Sequence, residues 1–383
     1  MKIVALDLGK SKTVSYAVDP RTGEAAFETI RTTPEDLGRW LRRHRPSHLV
    51  MEIGALTGWV HDLARACGVR RIDVANVNHE AWRWRNVKRK TDRLDAQKLA
   101  DLAVAGQLPT VHMPEAAVRQ WRQLITYRSS VVDRRTAIKN HIRSILAAVG
   151  ESMSPGQRGW TEKGRDYLRS LARPLEGVAP EDLWRGELDL ELRALDAVEE
   201  HVKAVEAKLG AMGKADARVA RLQTIPGVGP RLAEMLVALF DDPHRFRSGR
   251  QVSSYLGLVP RQWQSGATDR QGHISRQGSR LARKLLVEVA WVGLRYNPTL
   301  RAIYDRVCGG IAKRKKIAIV AVARHLAVIA WAMLRDETPW QAPPAPTPAS
   351  SPPEAPPRQR RRARTTTAPK TKQRVYRFGP PAG

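Results

Sequence analysis

Residues 2–9 read KIVALDLG and residues 48–54 read HLVMEIG. Each is a short apolar run, which is typical of a buried strand, and each ends with an acidic residue, Asp7 in the first and Glu52 in the second. Packing alone does not explain an acid at the end of a buried strand. If the two strands are neighbours in a sheet, their carboxylates meet at one edge, so this pair of segments decides both the fold class and the candidate site.

The sequence around these segments alternates between strand and helix patterns. A further strand is predicted at each of 12–18, 24–31 and 71–77, and a helix at each of 34–44, 59–66 and 91–108. A turn at 19–23 joins the second and third strands, and Thr91 is a suitable N-cap for the last helix. Three consecutive strands followed by alternating helices and strands predict an α/β layer fold for residues 1–110.

The rest of the sequence divides into a helical segment, a third unit and a tail. Residues 111–215 lack convincing strands, and apolar stripes from Val118 to Val149 and from Leu188 to Met212 predict two long helices, the second with heptad-like spacing. These helices could pack as a hairpin or pair with a second copy of the chain, and the pattern leaves both open. Residues 216–340 are predicted to be mainly helical. Residues 341–383 are rich in Pro and Arg and are predicted to be disordered.

The charge of the chain favours a polyanionic partner. It has 66 Lys and Arg residues against 38 Asp and Glu residues, a net charge of +28. Nucleic acid is the usual partner of such a chain, because each cation that meets a phosphate releases counterions. A membrane surface is the alternative, but no run of about 18 apolar residues predicts a span. Cys67 and Cys308 form neither a ligand cluster nor a disulfide framework, so a reducing cytoplasm is expected.

Two further carboxylates complete a candidate metal site. Asp92 and Asp95 are three residues apart at the start of the helix predicted at 91–108, which places both on one face. Alone they would be ordinary acids of a first helical turn. Together with Asp7 and Glu52 they would repel one another unless a cation neutralised them. Hard oxygen ligands favour Mg²⁺ or Mn²⁺, and two such ions about 4 Å apart can assist phosphoryl transfer.

A basic stretch just before this helix could hold a phosphate backbone over the metal. Its candidate nucleic-acid-binding residues are Arg83, Arg85, Lys88, Arg89 and Lys90. Trp82 and Trp84 lie among them, and they could either stack on bases or pack in the core.

Two motifs stand out in the third unit. Residues 225–229 read IPGVG, a tight turn of the helix-hairpin-helix kind whose amides, at Gly227 and Gly229, could hold a phosphate; the same turn can also simply join two packed helices. Residues 255–280 are predicted to form a Gly-punctuated basic loop that enters a helix near Ser279. This loop contains Ser265, with His273 as a conceivable base and metal assistance as the other route to activation. Its candidate phosphate contacts are Arg261, Arg276 and Arg280.

In this order, the motifs resemble those of one family of insertion-sequence transposases. Its members pair an Asp-Glu-Asp-Asp RuvC-like domain with a C-terminal serine transposase domain and are guided by a bridge RNA. The resemblance covers about residues 1–340. It is carried by the strands ending on Asp7 and Glu52 and by the segments 90–96, 225–229, 257–260, 265–266 and 273–275. The segment IGALTG at 53–58 is longer than the usual continuation of the family's glutamate, and the basic tail after Gln341 lies outside the pattern.

The resemblance implies an RNase H-like (RuvC-like) α/β domain at 1–110 and a helical, coiled-coil linker at 111–215. A mainly α serine transposase domain with a helix-hairpin-helix-like turn would follow at 216–340, and a disordered basic tail at 341–383. It also implies that Asp7, Glu52, Asp92 and Asp95 hold Mg²⁺ or Mn²⁺. Ser265 would be the nucleophile that forms a covalent link to a DNA phosphate and leaves a hydroxyl on the other DNA end.

The partners implied by the resemblance are double-stranded donor and target DNA and a structured non-coding guide RNA. Homo-oligomers, dimers or tetramers, would share active sites between protomers in the cytoplasm, at the nucleoid. Two other functions remain open from the residues. One is a metal-only, junction-resolving nuclease in which Ser265 is incidental. The other is a nucleic-acid-binding protein without catalysis.

Overall fold

The structure is a computed structural model that describes residues 2–76, 91–265 and 268–342. Its N-terminal part is organised by a five-stranded sheet in the order β3-β2-β1-β4-β5. The strands are β1 (Ile3–Leu8), β2 (Lys12–Val18), β3 (Ala25–Arg31), β4 (His48–Glu52) and β5 (Arg71–Ala75). The first three form an antiparallel meander, β4 is parallel to β1, and β5 is parallel to β4. All five strands lie where the sequence predicts them.

Helices cover both faces of this sheet. They are α1 (Pro34–His44) and α2 (Thr57–Ala66) on one face and α3 (Asp92–Val104) on the other. Leu6 and Met51 pack towards α1 and α2, whereas Ala5 and Val50 pack towards α3. Because the central strands are buried on both faces, they are apolar almost without interruption. The predicted α/β layer arrangement is therefore observed.

Two long helices, α4 (Ala116–Ala148) and α6 (Leu183–Ala215), follow the sheet. Ile125 belongs to the same buried cluster as Leu209, and Leu146 to the same cluster as Leu188, so α4 and α6 run antiparallel. The heptad-like seam of α6 is thus buried within the chain, which favours the hairpin over pairing with a second copy. A short helix between them, α5 (Glu162–Leu171), is not predicted from the sequence.

The C-terminal part is mostly helical, as the sequence predicts. Its helices are α7 (Ala217–Gln223), α8 (Pro230–Phe240), α9 (Gly249–Tyr255), α10 (Arg280–Tyr296), α11 (Pro298–Cys308) and α12 (Lys315–Arg335). Between α9 and α10 the strands β6 (Pro260–Ser265) and β7 (Thr268–Ile274) form an antiparallel pair. The prediction of a loop over residues 255–280 is therefore wrong for the middle of this segment, where the chain forms a β-hairpin. Helix α8 is buried from Leu232 to Phe240, since it runs through the centre of the C-terminal core.

One helical stretch of the described residues, Ala312–Arg335, is long and apolar enough to cross a membrane by length and composition alone. Arg324 and His325 interrupt it, so the sequence shows no continuous apolar run there. Of its most apolar window, 56% is buried inside the structure, and residues such as Val322 and Leu326 belong to the C-terminal core. A core helix of this kind passes the same test, so the stretch is only weak evidence for a membrane span.

Candidate active site

The sheet brings the acidic residues of β1 and β4 side by side. Leu6 pairs with Met51 in the parallel register, so Asp7 and Glu52 follow at the same level on adjacent strands. Neighbouring strands lie about 4.8 Å apart. Because Leu6 and Met51 pack towards α1 and α2, the next residue of each strand belongs to the opposite face, which α3 covers.

The pairing partners of the two acids confirm this face. Asp7 pairs with Val14 of β2, and Glu52 pairs with Ala75 of β5. Val14 and Ala75 both pack in the cluster beneath α3. Directly paired residues share a face of the sheet, so Asp7 and Glu52 lie on the α3 side.

Helix α3 places a third carboxylate over the same face. Asp95 is only 6% exposed and adjoins Ala96, which packs on the sheet. Asp92, the first residue of the helix, is exposed one turn earlier. Thr91 caps the helix as predicted, since its hydroxyl accepts a hydrogen bond from the Leu94 amide at 3.3 Å. Asp7, Glu52 and Asp95 thus share one layer, and Asp92 lies at its rim.

The carboxylate side chains are not gathered into a ligand cluster. Within residues 2–76, 91–265 and 268–342, no three His, Cys, Asp or Glu side chains are close enough together to hold a metal ion. The donor chemistry of Asp7, Glu52 and Asp95, carboxylate oxygen alone, nevertheless suits Mg²⁺ or Mn²⁺.

A cation that was not predicted from the sequence lies next to this layer. Lys98 lies three residues after Asp95 on α3. Burial lowers the pKa of the Lys98 ammonium group, and the nearby Asp95 carboxylate opposes that shift. The spacing of three residues between acid and base on a predicted helix was the signal that could have found it. Lys98 can offset the charge of the buried carboxylate or meet a phosphate there.

A buried threonine fixes the turn that follows Glu52. The Thr57 hydroxyl donates to the Glu52 carbonyl oxygen at 2.7 Å and accepts from the Gly54 amide at 2.8 Å. Thr57 is fully buried at the start of α2. The long IGALTG segment therefore closes as a compact turn that holds the backbone of Glu52 at the end of β4.

The predicted nucleic-acid contacts before α3 cannot be placed. Arg83, Arg85, Lys88, Arg89 and Lys90, together with Trp82 and Trp84, lie outside the described residues.

The turn at 225–229 joins α7 to α8. Ile225 and Val228 are buried in the C-terminal core, and Gly229 is the N-cap of α8. These buried contacts are explained by the packing of α7 against α8, which the turn connects. Phosphate binding by Gly227 and Gly229 stays a prediction.

Ser265 is the last residue of β6 and pairs with Thr268 at the tip of the hairpin. His273 lies near its base, where Pro260 pairs with Ile274. About four residues of strand, or roughly 13 Å, separate the two levels. His273 is therefore too far from Ser265 to act as its base in this arrangement. Among the described elements, β6 and β7 make extensive contacts only with each other, so one chain does not place Ser265 beside the carboxylates.

The predicted phosphate contacts around this hairpin are exposed. Arg261 lies on β6, Arg276 follows β7, and Arg280 begins α10. Arg276 is anchored by its own amide, which donates to the Gly257 carbonyl oxygen at 3.1 Å. The exposure of the three arginines leaves them accessible to a nucleic-acid backbone.

A basic cleft that the sequence did not suggest opens between the base of the hairpin and α12. It has a volume of about 860 Å³, and its polar lining consists of His273, Arg276, Lys316, Arg324 and His325. Burial, with the charges of Arg306 and Arg324, lowers the pKa of His325. Among the described residues that line the cleft there is no carboxylate. Such a lining suits an anion.

Comparison with known families and proteins supports the sequence motifs at both ends of the chain. Residues 4–150 match a transposase family model for the DEDD domain of IS110 elements. Residues 219–305 match the model of the transposase IS116/IS110/IS902 family. A DEDD transposase domain implies an RNase H-like α/β fold, with which the mixed sheet and its helices agree. Domains of this type typically use a divalent metal ion.

Similar proteins have names that point the same way. A probable family 20 transposase of Pseudomonas aeruginosa is 32% identical over 254 residues, which are 65% of this chain and 73% of that protein. The transposase for insertion sequence element IS1111A of Coxiella burnetii is 33% identical over 65% of this chain and 68% of its own length. A putative transposase of Sinorhizobium fredii is 28% identical over 86% of this chain and 90% of its own length.

Proposed function

The chain belongs to the IS116/IS110/IS902 family of insertion-sequence transposases, and on that premise we propose how its two motif regions divide the chemistry. As a DNA transposase it catalyses phosphoryl transfer on DNA. In our proposal the carboxylate layer binds a divalent cation, Mg²⁺ or Mn²⁺, and Ser265 is the nucleophile. The domain boundaries proposed with this division are 1–110, 111–215 and 216–340.

The observation that carries the metal site is the shared layer of Asp7, Glu52 and Asp95. Two of these acids are neighbours in the β1–β4 register, and the third is buried in the helix face above them. Asp92, one turn away at the rim, completes the set. When bound, the cation would neutralise the carboxylates and polarise a DNA phosphate.

In the proposed reaction the Ser265 hydroxyl oxygen forms a bond to a DNA phosphorus. The bond from that phosphorus to one of its ester oxygens breaks, the Ser265 hydroxyl loses its proton, and the leaving oxygen gains a proton to become a DNA hydroxyl. A hydroxyl of a second DNA end then attacks the phosphoserine link and releases Ser265. The number of phosphate ester bonds is unchanged, so the strands are exchanged without net hydrolysis.

The positive charge supports a guide RNA as well as DNA. Arg261, Arg276 and Arg280 are exposed, and with the basic cleft beside α12 they form a surface for phosphate backbones. Backbone binding is sequence-independent. A protein of this kind can leave the choice of donor and target sites to base pairing with a structured RNA.

The position of the hairpin supports an active site that is shared between protomers. In one chain, the strand that carries Ser265 makes no extensive contact with β1, β4 or α3 among the described elements. A phosphate must nevertheless touch serine and metal together. We therefore propose a homo-oligomer, dimer or tetramer, in which the hairpin of one copy reaches the carboxylates of another. The α6 seam is buried within the chain, so other surfaces must form that contact.

The covalent link can be tested directly. Purified protein is incubated with Mg²⁺, the candidate guide RNA and matched DNA, and then denatured in detergent. We expect a DNA–protein adduct that is lost in Ser265→Ala and in Asp95→Asn and that is not formed when the RNA is left out. Ser254→Ala, at an exposed serine of α9, is the matched control and should leave the adduct intact. An adduct that persists in Ser265→Ala would refute the nucleophile.

A metal-only, junction-resolving nuclease is the second candidate function. The separation of the β6–β7 hairpin from the sheet favours it, because the carboxylate layer is complete without Ser265. The same reaction distinguishes the two. Hydrolytic nicks that survive Ser265→Ala and vanish in Asp92→Asn identify the nuclease. Tight binding without any reaction identifies a protein that only binds nucleic acid.

A further inference from the structure

We propose that Trp263 is a stacking platform for one nucleobase of the DNA strand on which Ser265 acts. The role of the neighbouring serine rests on the proposed function. The base-binding site itself depends only on Trp263 and the residues around it.

The exposure of Trp263 is the first observation. Its side chain is 58% exposed, whereas Trp121 and Trp331, which pack in the C-terminal core, are 6% and 4% exposed. It lies in the strand PRQWQS, whose other residues are polar apart from Pro260. Leaving a large apolar ring in water forgoes the free energy of burying it. A ring in this position gains that free energy only when a partner covers it.

The ring is held against the neighbouring strand. A Cβ atom added to Gly272 of β7 would lie 2.5 Å from Cζ3 and 3.0 Å from Cη2 of Trp263. The six-membered ring of the indole therefore rests on the backbone of Gly272, where any larger residue would displace it. Support on one side and solvent on the other leave the ring oriented before a ligand arrives, so little conformational entropy is lost on binding.

The charges beside the ring identify the partner. Arg270 is paired directly with Trp263 across the hairpin, and Arg261 precedes it by two residues on β6. Both arginines are exposed, and Arg270 shares the face of Trp263, because directly paired residues lie on one side of a strand pair. An exposed aromatic ring with an exposed arginine on its face and another two residues away suits a nucleotide, whose base stacks on the ring while its phosphates meet the arginines.

The distance to Ser265 gives the platform its role. Ser265 follows Trp263 by two residues on β6, about 7 Å along the strand. A base stacked on Trp263 therefore belongs to a nucleotide next to the phosphate at Ser265. Such a base must leave its own stack. The platform would hold the duplex open at the point of strand exchange.

Short single strands test the platform without knowledge of the donor sequence. The full chain is titrated with labelled oligothymidylate of about eight residues, with oligouridylate of the same length, and with an abasic deoxyribose-phosphate chain of equal charge. We expect the wild type to bind the oligothymidylate about 5- to 100-fold more tightly than the abasic chain. Trp263→Ala should lose most of this preference and bind the abasic chain as before, and Trp263→Phe should keep a large part of it.

Two further variants test whether the effect of Trp263→Ala is specific to the position of this ring. Gly272→Ala keeps the indole but displaces it, so the preference should fall there too. Trp291→Ala removes a tryptophan that is 45% exposed on α10, and it should leave the preference unchanged. A preference for bases that is intact in Trp263→Ala overturns the platform. If Trp263→Ala loses the preference for bases only with oligouridylate, the assignment to the DNA strand is overturned. If Trp263→Ala keeps the preference for bases but no longer binds another protein, the partner of Trp263 is a protein instead.

The platform and the nucleophile can fail independently. A Ser265→Ala variant should bind all three strands as the wild type does. If it loses the covalent adduct while Trp263→Ala keeps the preference for bases, only the platform is wrong. If Trp263→Ala loses the preference while Ser265→Ala still forms the adduct, only the nucleophile is wrong.

Discussion

Replacement of Thr57 by valine tests whether the buried turn after β4 positions Glu52. Valine has nearly the same shape as threonine but can neither donate to the Glu52 carbonyl nor accept from the Gly54 amide, which the hydroxyl contacts at 2.7 Å and 2.8 Å. A buried polar group without a partner costs about 1–3 kcal/mol. Gly54 is exposed and Glu52 is half-buried, so water can reach both groups. We therefore expect the free energy of unfolding to fall by about 2 kcal/mol, at the low end of the range for two groups.

Catalysis should respond more strongly than stability. A displacement of a catalytic group by about 1 Å can cost about 100-fold in rate, and the Glu52 backbone loses one of its anchors in Thr57→Val. We expect the DNA–protein adduct to form about 10- to 100-fold more slowly. Urea unfolding measures the first effect, as a lower midpoint at unchanged slope, and adduct formation at a temperature where both proteins are folded measures the second. Thr57→Ser keeps the hydroxyl and should form the adduct at nearly the wild-type rate.

Two results would refute this reasoning. If Thr57→Val is destabilised as expected but forms the adduct at the wild-type rate, the turn does not position Glu52 for catalysis. If Thr57→Ser is as slow as Thr57→Val, the missing methyl group rather than the hydrogen bonds is responsible.

Two further predictions concern stability. Gly257 has a φ of +67°, and a Cβ atom there would lie 2.1 Å from the Gln277 carbonyl oxygen. Gly257→Ala should therefore lower the free energy of unfolding by more than about 1 kcal/mol. Gly210 lies in open space on α6, so Gly210→Ala is the control and should raise the free energy of unfolding slightly. Burial lowers the pKa of His48, which lies 2.7 Å from the Asp73 carboxylate, below its ordinary 6.5. The unfolded chain then binds more protons below that pH, so stability should be full above about pH 6.5 and fall as the pH is lowered below it. In urea titrations His48→Gln should weaken this dependence, and stability that rises on acidification contradicts the prediction.

The sheet could be predicted because its strands are separated by strong local signals. The observed bounds of β2 and α1 coincide with the predicted 12–18 and 34–44. Apolar runs mark strands buried on both faces, and polar turns with Pro or Gly end them. Helix α3 is shorter than predicted at its C-terminal end, but its start follows from the Thr91 cap.

The β6–β7 hairpin escaped prediction for a physical reason. Its strands read PRQWQS and TDRQGHI, which contain no alternation of apolar and polar residues. Strands that pair mainly with each other bury no continuous apolar face, so the pattern that reveals a strand in a sequence is absent. For the α6 seam, the sequence left open whether the helix pairs with α4 or with a second copy of the chain, and the reason is different. A heptad-like stripe shows that a helix has a partner, but which partner depends on the non-local match between α4 and α6.

The candidate site was predictable only in part, because some of its contacts join residues that are far apart in the sequence. The positions of Asp7 and Glu52 follow from two strand ends, and that of Asp95 from helical spacing. The basic cleft brings Arg276 together with Lys316 and other residues of α12, and no local pattern announces contacts across such a separation in sequence.

The proposed function divides the chemistry between two parts of the chain that differ in what holds them in place. The carboxylate layer is built into a sheet with helices on both faces, so its backbone positions are fixed before DNA arrives. The strand that carries Ser265 extends from the C-terminal core and is paired only within its hairpin, among the described elements. Without a nearby serine, metal chemistry at the sheet would leave water or a DNA hydroxyl as the nucleophile. In the proposed reaction the hairpin delivers Ser265 when DNA is bound, and a hairpin that has no other extensive contacts among the described elements can be positioned by that DNA and by a second copy of the chain. The same lack of packing that hid the hairpin in the sequence is thus what its proposed function needs.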